Sequence, residues 1–108
     1  MRVDLNTPEL QSFLAGAQAK IDANYDEHFA ETPASLRTKL ELTSGPRYIR
    51  IVANHASQRS AWGFISRETG AVLKADGWAR PARGARGNIF NNDNGLAHVS
   101  AYGPAYLR

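Results

Sequence analysis

The chain has 108 residues, enough for one domain with one modest core, and its apolar and charged fractions of 43% and 21% are ordinary for a globular protein. It has no cysteine, which excludes disulfides and thiolate metal sites, and no apolar run near the roughly 18 residues of a membrane helix. The net charge of +3 is unevenly placed: residues 1–46 hold four Lys/Arg and seven Asp/Glu, residues 47–108 nine and three, which suits an anionic partner or attraction between the halves.

The first residues lack the apolar stretch of a signal peptide, so a cytoplasmic protein is expected. Thr7-Pro8-Glu9 reads as a helix start, with a capping residue, a proline at the first helical position and an acid at the positive end of the dipole. Leu10, Phe13, Leu14, Ala17, Ile21, Tyr25 and Phe29 then fall at spacings of three and four, predicting an amphipathic helix over 8–29. Its stripe faces the core or, in the alternative, a partner. Glu31-Thr32-Pro33 ends it.

Leu36, Thr38, Leu40 and Leu42 alternate with Arg37, Lys39, Glu41 and Thr43, a strand pattern. After a turn at Ser44-Gly45-Pro46, Tyr48–Ala53 is the best strand, with Ile49, Ile51 and Ala53 on one face and Tyr48, Arg50 and Val52 on the other. A polar loop is expected over 54–60. Ala61–Ser66 follows as a strand with Trp62 and Phe64 on one face, as core or as a base-stacking platform. Arg67–Gly70 is a hairpin turn, Ala71–Lys74 pairs back, and Asp76-Gly77 is the exit turn. Asn91–Gly95 is a turn without the carboxylates of a calcium loop, and Leu96–Val99 suggests a short edge strand. The two tyrosines of 102–107 suggest a tail docked on the core. The expected fold is α+β, one domain over 1–108: an N-terminal amphipathic helix on a three- to four-stranded antiparallel meander with an irregular C-terminal segment.

The chemistry concentrates in Trp78–Phe90. Arg80, Arg83 and Arg86 recur at intervals of three, and Gly84 and Gly87 directly follow two of them. Arginine supplies charge and a planar donor fork, and glycine lets a ligand approach the backbone. We expect an anion-binding loop for phosphates, with Lys74, Trp78, Arg80, Arg83, Arg86, Gly87 and Asn88 as ligand-binding residues. The arginines supply bidentate donors, backbone N–H groups near Gly84, Gly87 and Asn88 a nest, and Trp78, Phe90 or Trp62 a stacking surface. The rival explanation is a surface loop whose arginines pair with Asp22, Asp26, Glu27 or Glu31. Gly84-Ala85-Arg86-Gly87 also spells the Gly-x-x-Gly of a KH loop, but Pro81 and the nearby asparagines argue against the helices such a loop joins.

Catalysis finds little support. There is no Gly-x-Ser-x-Gly elbow, and His28, His55 and His98 lack metal-ligand spacing. No catalytic residue, metal or cofactor is expected.

Residues 45–108 resemble short proteins encoded widely in bacteriophage genomes. The shared features are Gly45-Pro46-Arg47-Tyr48, Trp62-Gly63-Phe64-Ile65, Thr69-Gly70 with Lys74-Ala75, Trp78 with Pro81-Ala82, Ala85-Arg86-Gly87-Asn88-Ile89-Phe90, and Tyr102–Leu107. The resemblance implies a phage setting, hence host cytoplasm, and no catalytic residues. The leading expectation is a non-enzymatic phage accessory protein that binds a small nucleotide or single-stranded nucleic acid. The alternative is a protein-interaction or virion component, and a small nucleotide hydrolase is a third class. No membrane partner is expected, and a homo-oligomer is left open.

Overall fold

Pro8 needs no intrahelical N–H partner, so the helix begins there, and α1 runs Pro8–His28 in the computed structural model, which describes residues 2–105. Thr7 stands at the cap position without capping. Its hydroxyl instead accepts from the Asp4 N–H at 2.9 Å, closing the preceding turn. The stripe Leu10, Phe13, Ala17 and Ile21 is buried, as its spacing requires. Gly16 has a packing reason: a Cβ there would stand 2.5 Å from Leu96 Cδ1.

After a 3₁₀ turn at Ala34–Leu36, five strands form one antiparallel sheet in sequence order: β1 (Lys39–Ser44), β2 (Tyr48–His55), β3 (Gln58–Ser66), β4 (Ala71–Lys74) and β5 (Gly87–Asn88). Two further short strands, β6 (Val99–Ser100) and β7 (Gly103–Pro104), make a separate ribbon. The α+β class and the helix on an antiparallel meander stand as expected. The meander has an extra strand, which comes from the arginine stretch itself.

Three local expectations change. The first strand begins only at Lys39, because Ala34–Leu36 takes a helical turn. The expected loop over 54–60 is instead the tip of the β2–β3 hairpin. His55 pairs with Gln58 across Ala56-Ser57, with Ala56 in the left-handed region at φ 55°. Trp62 and Phe64 do not share a face. Ile51 pairs with Gly63 and Val52 with Ala61, so Trp62 is an extra residue, a β-bulge. The bulge turns Trp62 onto the helix, edge-on to Phe13 at 6.4 Å between centroids. Phe64, opposite Arg50, stays on the other face against Tyr48.

The core therefore lies between α1 and one sheet face. Leu10, Phe13, Ala17 and Ile21 meet Ile49, Ile51, Trp62, Ile65 and Val72, with Ile89 and Val99 closing it. Gln18 fastens the helix to the edge strand: its Oε1 accepts from Leu40 N–H at 2.8 Å and its Nε2 donates to Thr38 C=O at 3.0 Å. The other, outer sheet face is not covered by the helix. It carries the side chains considered next.

Candidate ligand-binding face

The Trp78–Phe90 stretch is two structures joined. Its second half belongs to the sheet. Arg86 N–H donates to Val72 C=O at 2.7 Å, and Gly87 and Asn88 pair with Val72 and Ala71. Asn88 is spent on structure, since its Nδ2 donates to Thr69 C=O at 2.8 Å and its Oδ1 accepts from Phe90 N–H at 2.9 Å. Ile89 enters the core, and Phe90 lies over Gly70.

Arg86 is also internal, only 7% exposed. Its Nε donates to Ala105 C=O at 2.9 Å, and its Nη1 donates to the carbonyls of Arg83 and Gly84 at 2.8 and 2.6 Å. The guanidinium gathers carbonyls from two segments and so fastens the stretch to Ala105, just after β7. Lys74 Nζ donates to Pro104 C=O at 3.5 Å. Arg80 and Arg83 are exposed, and Arg80 stands 3.6 Å from Asp76. Among the described residues none of the three arginines pairs with an acid of the helix, and Asp26 there is held by Arg37 at 2.8 Å. The seven expected ligand residues are thus not brought to one surface. Lys74, Arg86, Gly87 and Asn88 secure the fold, while Trp78, Arg80 and Arg83 remain outside.

The first half folds over the outer sheet face. Ala75 bridges to Pro81, and Asp76 N–H donates to Arg80 C=O at 3.0 Å, so residues 75–81 form a small closed loop. That loop sets Trp78 against β2 and β3. Arg50 lies over the Trp78 ring at 4.5 Å and its Nε donates to the Trp78 carbonyl at 2.8 Å. Arg59 lies over the same ring at 5.7 Å and pairs with Glu41.

The series continues along the face. Arg50 also lies over Phe64 at 5.9 Å, Phe64 meets Tyr48 edge-on at 6.2 Å, and Arg47 lies over Tyr48 at 5.6 Å. Three guanidinium groups and three rings thus form one series, Arg59, Trp78, Arg50, Phe64, Tyr48 and Arg47, in which the rings of Phe64 and Tyr48 are adjacent. Since Arg47 directly precedes β2 and Arg59 pairs with Asn54, the ladder follows nearly all of that strand, roughly 20 Å at the ordinary rise of a strand. Beside it a cavity of about 240 Å³ is lined by Ser44, Gly45, Arg47, Tyr48, Arg50 and Phe64, with Ala79 at its edge.

The acid on this face is already committed. Hydrogen bonds from Asn54 and then Arg59 hold the Glu41 carboxyl below its ordinary range. Arg47, Arg50, Arg59, Tyr48 and Phe64 were absent from the expected site. Their signal was in the strand alternation, which puts Tyr48 and Arg50 on the face opposite Ile49 and Ile51. The elements of the site come together only through the hairpin and the Trp78 loop.

Fold and face together define an α+β protein with a helix-covered inner sheet face and a cationic, aromatic outer one. The chain belongs to a family of unknown function, DUF7717, whose model matches residues 5–105. No curated protein and no solved structure matches the chain. Among the described residues no helix is long and apolar enough to cross a membrane.

Proposed function

We propose that the protein binds a phosphate-bearing nucleotide ligand on the outer sheet face, without turning it over. The observation that carries this is the ladder of Arg47, Arg50 and Arg59 in one series with Tyr48, Phe64 and Trp78. Guanidinium forks suit phosphate oxygens, and the exposed parts of Tyr48 and Trp78 offer ring faces to bases. The extent of the ladder along β2 favours a single strand over a mononucleotide, because one nucleotide reaches only part of it. Arg80 and Arg83, exposed beside the Trp78 loop, extend the positive surface. With the resemblance of residues 45–108 to short phage-encoded proteins, the proposed setting is the cytoplasm of an infected host.

The test is the affinity for a labelled oligothymidylate as a function of salt. A single strand with three neutralised phosphates gives a slope of about −2 in log K against log salt. A mononucleotide that raises the melting temperature with no oligonucleotide binding would select the small-ligand form. No response in either measurement would remove the proposal.

A further inference from the structure

A second cleft lies on the opposite side of the molecule, at the C-terminal end of α1. Its volume is about 360 Å³, within the roughly 300–1,000 Å³ span of small-molecule sites. Tyr25 and Phe29 of the helix end form one wall, edge to face at 6.3 Å. Tyr102 forms the other. It is 78% exposed, yet it is directed to the helix by a 3.5 Å hydrogen bond from Asn24 Nδ2 to its hydroxyl. Phe29 is 54% exposed in the same place. Two large rings thus stand exposed around one concavity.

The cleft also carries a polar cluster. Tyr25 Oη, Thr38 Oγ1 and His55 Nδ1 form a closed triangle with sides of 3.0, 3.2 and 3.2 Å. Thr38 N–H also donates to the Tyr25 oxygen at 3.1 Å. If Nδ1 accepts, both hydroxyl protons are used within the triangle. If Nδ1 donates, one of them has no partner there. In the arrangement that uses both hydroxyl protons within the triangle, Nδ1 accepts, the imidazole proton is on Nε2, and Nε2–H is a donor at the cleft. Asn24 adds an amide to the rim, able to give or accept.

We propose that this cleft binds the base of a purine nucleoside. Ring walls select a flat aromatic group, and a volume of about 360 Å³ has room for a bicyclic one. The Nε2–H of His55 requires an acceptor in the plane of that group, which purine ring nitrogens provide, and Asn24 suits an exocyclic amine or carbonyl. Arg37, over the Tyr25 ring at 5.4 Å, is the cation nearest this wall among the described residues, and the sugar points to the open mouth of the cleft. The assignment is independent of the outer face and uses none of its residues.

Adenosine, which has no phosphate, is the probe. Titrated into the full chain, it should shift the His55 ring resonances and the amides around Thr38 in a saturable way. Tyr102→Ala should weaken that binding about tenfold through loss of one stacking wall. His55→Phe, which keeps a ring but removes the donor, should weaken it similarly, while Arg50→Ala should leave it unchanged. Both altered side chains are exposed, and a preserved amide spectrum would show that the fold is retained. Unmoved His55 resonances up to the solubility limit of adenosine would overturn the assignment. So would wild-type affinity in Tyr102→Ala, or adenosine binding that is lost in Arg50→Ala.

Discussion

Arg50 stacks over Trp78 at 4.5 Å and donates to the Trp78 carbonyl at 2.8 Å, so one side chain of the central hairpin holds both the ring and the backbone of the loop that crosses it. A lysine keeps the charge at this position but has neither the planar surface nor the second donor direction. Arg50→Lys is therefore expected to behave more like Arg50→Ala than like the wild type. Oligothymidylate affinity should fall about tenfold or more in both, and the salt slope should shrink by about 0.7 in the alanine variant alone, which loses a phosphate-neutralising charge. Anisotropy titrations at several salt concentrations measure both. An unchanged affinity in Arg50→Lys would assign the residue a charge role only.

Arg86 and Arg83 should separate cleanly. Read from the sequence, the two are equivalent members of an arginine repeat, and replacing both should remove binding and spare the fold. The structure sets them apart. Arg86→Ala orphans three carbonyls around a buried site, at a cost of about 1–3 kcal/mol or more. Arg83→Ala changes an exposed side chain and should stay within about 0.5 kcal/mol. Urea denaturation of the two single variants distinguishes them, and equal midpoints would show that the carbonyl cluster contributes nothing.

Gln18 meets the backbone of β1 as a neighbouring strand would, with one acceptor and one donor. Gln18→Ala leaves Leu40 N–H and Thr38 C=O without those partners, an expected loss of about 1 kcal/mol. It also bares the free edge of the sheet, so sedimentation should show more self-association than in the wild type. Gln18→Glu keeps an acceptor for Leu40 but sets a carboxylate against Thr38 C=O and Asp22 Oδ1, to both of which the amide donated, so at neutral pH it should be no more stable than Gln18→Ala.

Asp93 carries an acid-side prediction. The N–H of Gly95 first, then that of Ala97, holds its carboxyl below the ordinary range, at 3.0 and 3.1 Å. A depressed folded-state pKa adds stability that is complete above the unfolded value of about 4 and disappears as the pH falls through the folded value. Asp93→Asn removes that linkage. The stability difference between wild type and variant should be present at neutral pH and shrink below about pH 4. A difference constant across that range in urea midpoints would remove Asp93 from the acid response.

The parts of the fold that could be read in advance are those whose signal is local. The helix is written in the spacing Leu10, Phe13, Ala17, Ile21, and the hairpin turn in Thr69-Gly70, where φ is +79°. What could not be read depends on contacts between distant segments. The polar residues of 54–60 look like a loop because the hairpin tip is exposed, and Ala56 takes its left-handed conformation without the usual glycine. Trp62 and Phe64 obey strict alternation on paper, yet one bulged residue sends them to opposite faces. The arginine stretch looked uniform because spacing cannot tell an arginine that binds carbonyls from one that faces water. Only the pairing of Gly87-Asn88 with β4 separates Arg86 from Arg80 and Arg83. Trp78 reads as a ligand-binding residue from the sequence, but the side chains it meets, Arg50 and Arg59, lie 28 and 19 positions away in the chain.

Gly70 and Phe90 provide a test of how the stretch is closed at its far end. A Cβ at Gly70 would stand 2.6 Å from two carbons of the Phe90 ring, and the position also requires φ +79°. Gly70→Ala therefore meets two separate costs, a steric one that the ring can relieve by moving and a backbone one of about 1–3 kcal/mol that it cannot. Phe90→Ala alone loses only the contacts of a ring that is 42% exposed, so its effect should be the smaller. In the double variant the clash with the ring vanishes, while the 3.1 Å approach to Asn88 Oδ1 and the backbone part stay. The combined loss should therefore be less than the sum of the two single losses, yet no smaller than the backbone cost. A double-mutant cycle in urea measures the coupling directly. Strict additivity would mean that the Phe90 ring does not rest on Gly70, and full recovery of Gly70→Ala by loss of the ring would mean that the left-handed backbone is not strained at that turn.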